Sequence, residues 1–251
     1  MADLNNDGRN DVVVSHWNAS HLSVFLQQSD GTLADYISYW CPAGGYDDTA
    51  VGDLNNDGLM DFVKMNGQLD TSIDLLVYLQ TEDGTLSGPT IYNLPDTTMG
   101  NRIAVGDITG DGRDDVVMSY GGNRPHAYIA VFAQTEAGIL SFAATYEAYE
   151  IPGSAVITDA NMDGRSDVVI THAQWERLSV YLQNDEGELD PYSLYALPYY
   201  MNHPSRALVT GDLNNDGLPD VAFAHYLGPA ILYHFPIFTD RGFLPYITTY
   251  D

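Results

Sequence analysis

Five short segments of this chain carry the same set of oxygen-bearing side chains at the same spacing. They are Asp3-Leu-Asn-Asn-Asp-Gly-Arg-Asn-Asp11, Asp53-Leu-Asn-Asn-Asp-Gly-Leu-Met-Asp61, Asp107-Ile-Thr-Gly-Asp-Gly-Arg-Asp-Asp115, Asp159-Ala-Asn-Met-Asp-Gly-Arg-Ser-Asp167 and Asp212-Leu-Asn-Asn-Asp-Gly-Leu-Pro-Asp220. The shared pattern puts carboxylates at positions one, five and nine, and an amide or hydroxyl oxygen at position three. Hard-cation chemistry suits such a set. Calcium takes six to eight oxygen ligands at about 2.3–2.6 Å from carboxylates, amide oxygens and backbone carbonyls. Three carboxylates packed this closely repel one another unless a cation lies among them.

With a main-chain carbonyl from position seven, the expected ligand sets number five. The first is Asp3, Asn5, Asp7, Arg9 and Asp11, and the second Asp53, Asn55, Asp57, Leu59 and Asp61. The third is Asp107, Thr109, Asp111, Arg113 and Asp115, and the fourth Asp159, Asn161, Asp163, Arg165 and Asp167. The fifth is Asp212, Asn214, Asp216, Leu218 and Asp220. Glycine at position six fits a sharp turn with positive φ. An EF-hand loop would need glutamate at position twelve and flanking helices. Position twelve is Val14, Lys64, Met118, Ile170 or Phe223, and strands follow each loop. Magnesium, which keeps its waters and takes fewer protein ligands, suits the set less well. The plain alternative is five acidic Asx-type turns without metal; their recurrence in register favours about five calcium ions. Thr109 makes the third loop the weakest by composition.

The loop starts are separated by 50, 54, 52 and 53 residues, which leaves no room for a separate domain or a long linker. A single domain over residues 1–251 is therefore expected, with repeats starting near 3, 53, 107, 159 and 212. Each loop runs into a short apolar segment, such as Val12–Ser15 or Val116–Ser119. A segment of β-formers follows, such as Leu22–Gln27 or Leu75–Gln80, and then a tight glycine turn. A Tyr- and Thr-rich segment comes next, and a last one, such as Arg102–Val105, leads into the following loop. Short strands, frequent turns and no helical period predict an all-β fold. Four strands in about fifty residues is the size of one β-propeller blade.

The segments Asp11-Val-Val-Val-Ser-His, Leu22-Ser-Val-Phe-Leu-Gln and Asp30-Gly-Thr-Leu33 resemble the VCBS/FG-GAP repeat family. The resemblance covers essentially the whole chain. It implies calcium-loaded propeller blades, with the integrin α-subunit propeller and some fungal and bacterial lectins as relatives. The fifth repeat departs most, since Pro236 replaces the strand-ending glutamine and the turn to Gly242 is longer. No strand precedes Asp3, and Tyr246–Asp251 matches only the third strand of a blade. The expectation is a ring of about five four-stranded blades, closed by a thin blade, completed by a partner, or forming part of a larger, seven-bladed propeller. Met1, two residues before the first loop, reads as a trimmed or processed boundary.

Charge narrows the partners. With 35 Asp+Glu against 9 Lys+Arg the formal charge is −26, and Lys64 is the single lysine. Such a chain repels phosphate backbones and anionic lipid surfaces, so neither nucleic-acid binding nor a membrane-surface role is expected, and with no apolar run near the ~20 residues of a span, neither is membrane insertion. One cysteine, Cys41, excludes an internal disulfide and a thiolate metal cluster. No H-E-x-x-H, G-x-S-x-G, P-loop or dinucleotide fingerprint is present, and most carboxylates belong to the loops, so no enzyme activity is expected.

The loops between the first two strands vary most, and variable loops on a rigid frame often carry function. They hold His16, Trp17, Asn66, Tyr120, His172, Trp175, His225 and Tyr226 as candidate ligand contacts. Packing at blade ends is the favoured alternative for these residues. Asn18-Ala19-Ser20 is a lone glycosylation sequon. Modest calcium sites fill outside the cell, where calcium is millimolar. The sequence thus points to an extracellular calcium-binding propeller for adhesion, assembly or partner binding, with self-assembly as one form of it. A glycan-binding lectin is the second reading, and a non-catalytic domain of a larger surface enzyme the third.

Overall fold

The structure, a computed structural model, describes residues 1–16, 19–42, 46–68, 72–94, 100–172, 175, 177–197, 208–225, 228–232 and 247–249. Within them the chain is all-β, with antiparallel strands in five sheets. The first sheet holds β1 (Val12–Ser15), β2 (His21–Phe25) and β3 (Ile37–Trp40). The second holds β4 (Tyr46–Gly52), β5 (Asp61–Gln68), β6 (Ser72–Gln80) and β7 (Leu86–Asn93). The third holds β8 (Gly100–Gly106), β9 (Asp115–Gly121), β10 (Ala127–Gln134) and β11 (Leu140–Glu147). The fourth holds β12 (Pro152–Thr158), β13 (Asp167–His172), β14 (Arg177–Tyr181) and β15 (Ser193–Ala196). The fifth holds β16 (Leu208–Gly211), β17 (Asp220–His225), β18 (Gly228–Leu232) and β19 (Ile247–Thr249).

Spatial order follows chain order in every sheet. The strand that precedes an Asp-rich loop pairs with the strand that follows it, as in Gly52↔Asp61, Gly106↔Asp115, Thr158↔Asp167 and Gly211↔Asp220. Each loop is therefore the connection of a hairpin. In the first sheet the preceding strand is reduced to one bridge, Ala2↔Asp11, so the sheet has three strands.

In the inner sheets the strands immediately after the loops are apolar because both their faces are covered, whereas β1 is half-buried. All residues of β9 and β13 are buried. Val63, Met65 and Leu75 of the second sheet pack against Val116, Met118 and Phe132 of the third. Val117, Ile129 and Val131 meet Val168, Ile170 and Tyr181 of the fourth. Val169 and Val180 in turn meet Val221 and Phe223 of the fifth, while Leu22 and Val24 share a core with Phe62, Leu76 and Tyr78. Successive sheets thus stack face to face through a series of apolar interfaces, stabilised in proportion to the apolar area they bury. The last strand of a sheet is the exposed one, and β7 and β11 show solvent-facing residues along most of their length. That exposure explains their Thr and Tyr content, since β-formers with a polar tip suit a half-wet strand.

The strands ahead of the loops lie beside one another. Asp48, Thr49, Arg102, Ile103, Ser154 and Leu208, from β4, β8, β12 and β16, line a cavity of about 290 Å³. Asp48 Oδ2 accepts the Ile103 N–H at 2.9 Å and ties two sheets together there. Burial raises the Asp48 pKa, against the opposing pull of that hydrogen bond and of Arg102.

Candidate metal centre

Each loop is held by its own aspartates. The position-one carboxylate accepts the N–H groups of positions five and six: Asp53 takes Asp57 N at 3.1 Å and Gly58 N at 2.8 Å. Asp3, Asp159 and Asp212 do the same at 2.7–3.0 Å. Asp107 adds a third bond, from Gly110 N at 2.7 Å. Asn5, Asn55, Asn161 and Asn214 accept from the N–H of the position-five aspartate at 2.9–3.2 Å. The position-five carboxylates of Asp7, Asp57, Asp111, Asp163 and Asp216 accept the position-seven N–H at 2.8–3.0 Å.

Position six takes φ near +84° at Gly58, where a side chain would strain the backbone. Position four is also left-handed, which suits Asn6, Asn56 and Asn215, and is met by Gly110 in the third loop. Met162 holds the same conformation in the fourth, at φ 62°.

The position-nine aspartates are fully buried. In each, one oxygen accepts the N–H of position two: Leu4, Leu54, Ile108, Ala160 and Leu213, at 2.8–3.0 Å. In the first four the other oxygen accepts the N–H of a glutamine across the sheet. These are Gln27, Gln80, Gln134 and Gln183, at 2.8–2.9 Å. One carboxylate so locks the loop's start to a third strand. Burial, with repulsion from Asp57 and Asp53, pushes Asp61 up to about 6. Asp167 reaches about 6 by burial and the nearness of Asp163 and Asp159, and Asp115 is raised chiefly by burial.

Loops also touch the next sheet. Gln80 Nε2 donates to the Asp3 carbonyl at 3.3 Å, and Gln134 Nε2 to the Asp53 carbonyl at 2.8 Å. Asp114 Oδ2 accepts the Asp53 N–H at 2.9 Å. The glycine turns of the second, third and fourth sheets sit on position three of the preceding loop, Gly84 on Asn5, Gly138 on Asn55 and Gly187 on Thr109, and a Cβ on Gly138 would lie 2.3 Å from the Asn55 carbonyl oxygen. Gly138→Ala, also at φ 68°, should cost about 2–3 kcal/mol in urea unfolding; a loss under about 0.5 kcal/mol would mean the contact relaxes freely.

These residues fit a hard divalent ion by their donor chemistry, which is oxygen throughout. Carboxylates raised by burial, and to a smaller degree by neighbouring carboxylates, add to the fit. So do the Oε1 atoms of Gln80, Gln134 and Gln183, each buried beside a loop without a hydrogen-bond partner. As arranged here the carboxylates turn to main-chain N–H groups. Among the described residues no three His, Cys, Asp or Glu side chains gather around one ion-sized point.

The FG-GAP-like repeat profile matches residues 3–63, 69–118 and 159–223, and the FG-GAP repeat profile matches 99–140. The chain belongs to the FG-GAP-like repeat family. Two of the matched FG-GAP segments begin on a position-one aspartate, Asp3 and Asp159. No curated protein sequence matches the chain. Among solved structures, these FG-GAP repeats are similar to a chain of the Photorhabdus luminescens Tc holotoxin pore, a TccC3 mutant. Identity there is 16% over 91% of this chain and 11% of that one, with a TM-score of 0.49. They are also similar to BBS1N in complex with ARL6DN, at 14% identity over 90% of this chain and 64% of that one, TM-score 0.54. A Lactobacillus plantarum protein shares 13% identity over 95% of this chain and 66% of that one, TM-score 0.57. The FG-GAP chain thus spans less than two thirds of each of these chains, and the last two likenesses speak for a propeller-like all-β fold.

The structure describes some of the candidate ligand contacts. His172, Tyr120 and Asn66 are buried within or at the ends of their strands. Tyr120 stacks on Tyr128 at 5.5 Å, and His16 Nε2 meets Ser23 Oγ at 2.9 Å. His225 ends β17; Trp17 and Tyr226 lie outside the described residues, as do Asn18, Pro236 and Gly242. Among the described residues of the set, Trp175 alone is well exposed, at 44%. It meets the Tyr149 ring edge-on at 6.3 Å, and Arg124 lies 4.9 Å over that same ring while pairing with Glu150. Sequence reasoning missed this cluster, because Arg124, Tyr149 and Glu150 stand in loops that share no motif.

His172 carries a pH signature. Its Nδ1 lies 3.1 Å from the Glu150 carbonyl, which can only accept, so Nδ1 holds the proton and Nε2 accepts from Ser179 Oγ at 2.8 Å. Burial drives its pKa down to about 4 from 6.5. Between those values the unfolded chain takes up a proton that the folded chain refuses. The contribution is whole above pH 6.5 and is lost as pH falls towards 4. Asp61 and Asp167, raised to about 6, act in the opposite direction over part of that range, so the effect must be read as a difference. The stability gap between wild type and His172→Gln should shift by about 2 kcal/mol against the wild type from pH 7 to 5. A gap that does not move would place a charged imidazole in the folded protein.

Proposed function

We propose that this chain is a calcium-stabilised β-propeller of about five blades that works outside the cell as a non-catalytic module for adhesion, assembly or partner binding. The observation that carries the reading is the recurrence of one acidic loop at the same hairpin of every sheet. Asp, Asn or Thr oxygens at positions one, three, five and nine, with the carbonyls of Arg9, Leu59, Arg113, Arg165 and Leu218, would hold the ion. Bound calcium would supply positive charge for the three loop carboxylates to turn towards. The loops themselves fix the hairpins and seat each sheet against the next. The three-stranded first sheet is where a further strand, from a partner or another part of a propeller, would complete the set.

Calcium titrated calorimetrically into chelator-stripped protein should saturate at about five ions, with magnesium a poor substitute. Saturation at none, or equal affinity for magnesium, would remove the basis of the reading. Assembly through calcium-loaded blades should raise the apparent mass in sizing runs with calcium.

A glycan-binding role is the second reading, favoured by exposed Trp175 beside Tyr149 and Arg124. An aromatic face meets sugar C–H groups while polar tips fix orientation. A glycan array signal lost in Trp175→Ala would support it; a blank array would remove it.

A further inference from the structure

Position seven divides the loops. Arg9, Arg113 and Arg165 each fold their guanidinium back over their own loop. Nη2 binds the position-five carboxylate, of Asp7, Asp111 and Asp163 respectively. Nε donates to the main-chain carbonyl of Gln27, Gln134 and Gln183 at 2.8, 3.2 and 3.0 Å. A fixed positive charge therefore already sits on one loop carboxylate and ties it to the strand across the sheet. Such charge-assisted bonds are the stronger kind. The second loop has Leu59 instead. Among the described residues Asp57 Oδ2 takes a hydrogen bond from Asn55 Nδ2 at 2.9 Å, and no guanidinium reaches it. The loop's three carboxylates thus lack a cation supplied from within. Beside it Gln134 donates Nε2 to the Asp53 carbonyl, yet its Oε1 is buried without a partner.

We infer that the arginine at position seven is a built-in cation that partly stands in for calcium, so that the second loop, lacking it, binds calcium more tightly than the first, third and fourth and depends on it more than they do. This rests on the calcium reading above. A trio carrying three uncompensated negative charges attracts a divalent ion more strongly than one already carrying a guanidinium. Near the surface the difference is screened, and about tenfold in affinity is the scale expected. The arginine loops keep their shape when metal is removed, and the second loop loosens.

The test uses the full chain, stripped with chelator and titrated with calcium chloride. Leu59→Arg should weaken one tight equivalent about tenfold and leave the total number of ions unchanged. Arg113→Leu should move one equivalent into the tight class. Hydrogen exchange of the wild type adds a readout that needs no variant. Calcium should protect the amides of residues 53–61 more than those of residues 3–11, 107–115 or 159–167. Calcium binding with both variants titrating like wild type, or equal protection of all these loops, overturns the inference and leaves the calcium reading standing. No calcium binding in any variant overturns both.

Discussion

Stripping calcium from this protein should lower its melting temperature by at least about 10 °C, and calcium restored in excess should return it. Binding to the folded state alone stabilises by about 2.7 kcal/mol per site at a hundredfold excess over Kd. Each kcal/mol moves the midpoint of a chain this size by roughly 2–4 °C. Several partly filled sites therefore suffice. The structural cause is burial of charge, with local repulsion added. Asp61 and Asp167, buried and facing two more carboxylates each, are pushed up to about 6 without a cation. Differential scanning calorimetry with and without chelator measures the shift. An unchanged midpoint would make the loops purely hydrogen-bonded turns.

Asp61→Ala should destabilise the fold by about 4 kcal/mol even in chelator, before any metal is counted. Its carboxylate is fully buried and accepts Leu54 N and Gln80 N at 2.9 and 2.8 Å. Removing it strands two buried N–H groups, at about 1–3 kcal/mol each, and leaves a small void. Asp61→Asn retains one acceptor and should lose about half as much. Urea unfolding in excess chelator isolates this part, and calcium should widen the gap between wild type and variant. A loss under about 1 kcal/mol for Asp61→Ala would show that water replaces the carboxylate at little cost.

The loops and strands were legible because their signals are local. A glycine at positive φ, such as Gly58, and an apolar run such as Val116–Ser119 announce themselves within a few residues. The third strands were legible from their Tyr and Thr content. What escaped depends on partners distant in sequence. Asp61 reads as a metal ligand, and nothing nearby reveals that Gln80 N also needs it. Tyr120 and His172 read as loop residues because the apolar runs end just before them. β9 and β13 carry pairing through to these positions, so their rings fall inside the stack instead of at its rim. Arg113 reads as a carbonyl donor, and only the fold shows its guanidinium returning to Asp111. Arg124 over Tyr149 joins two loops that no repeat predicts.

A crystal structure grown in millimolar calcium, with anomalous scattering used to find the ions, tests the account at its root. One peak should lie within each Asp-rich loop, ringed by six to eight oxygens at about 2.3–2.6 Å, the position-one, -five and -nine aspartates among them. Loops without a peak at that calcium level, their carboxylates still bound only to N–H groups, would contradict it.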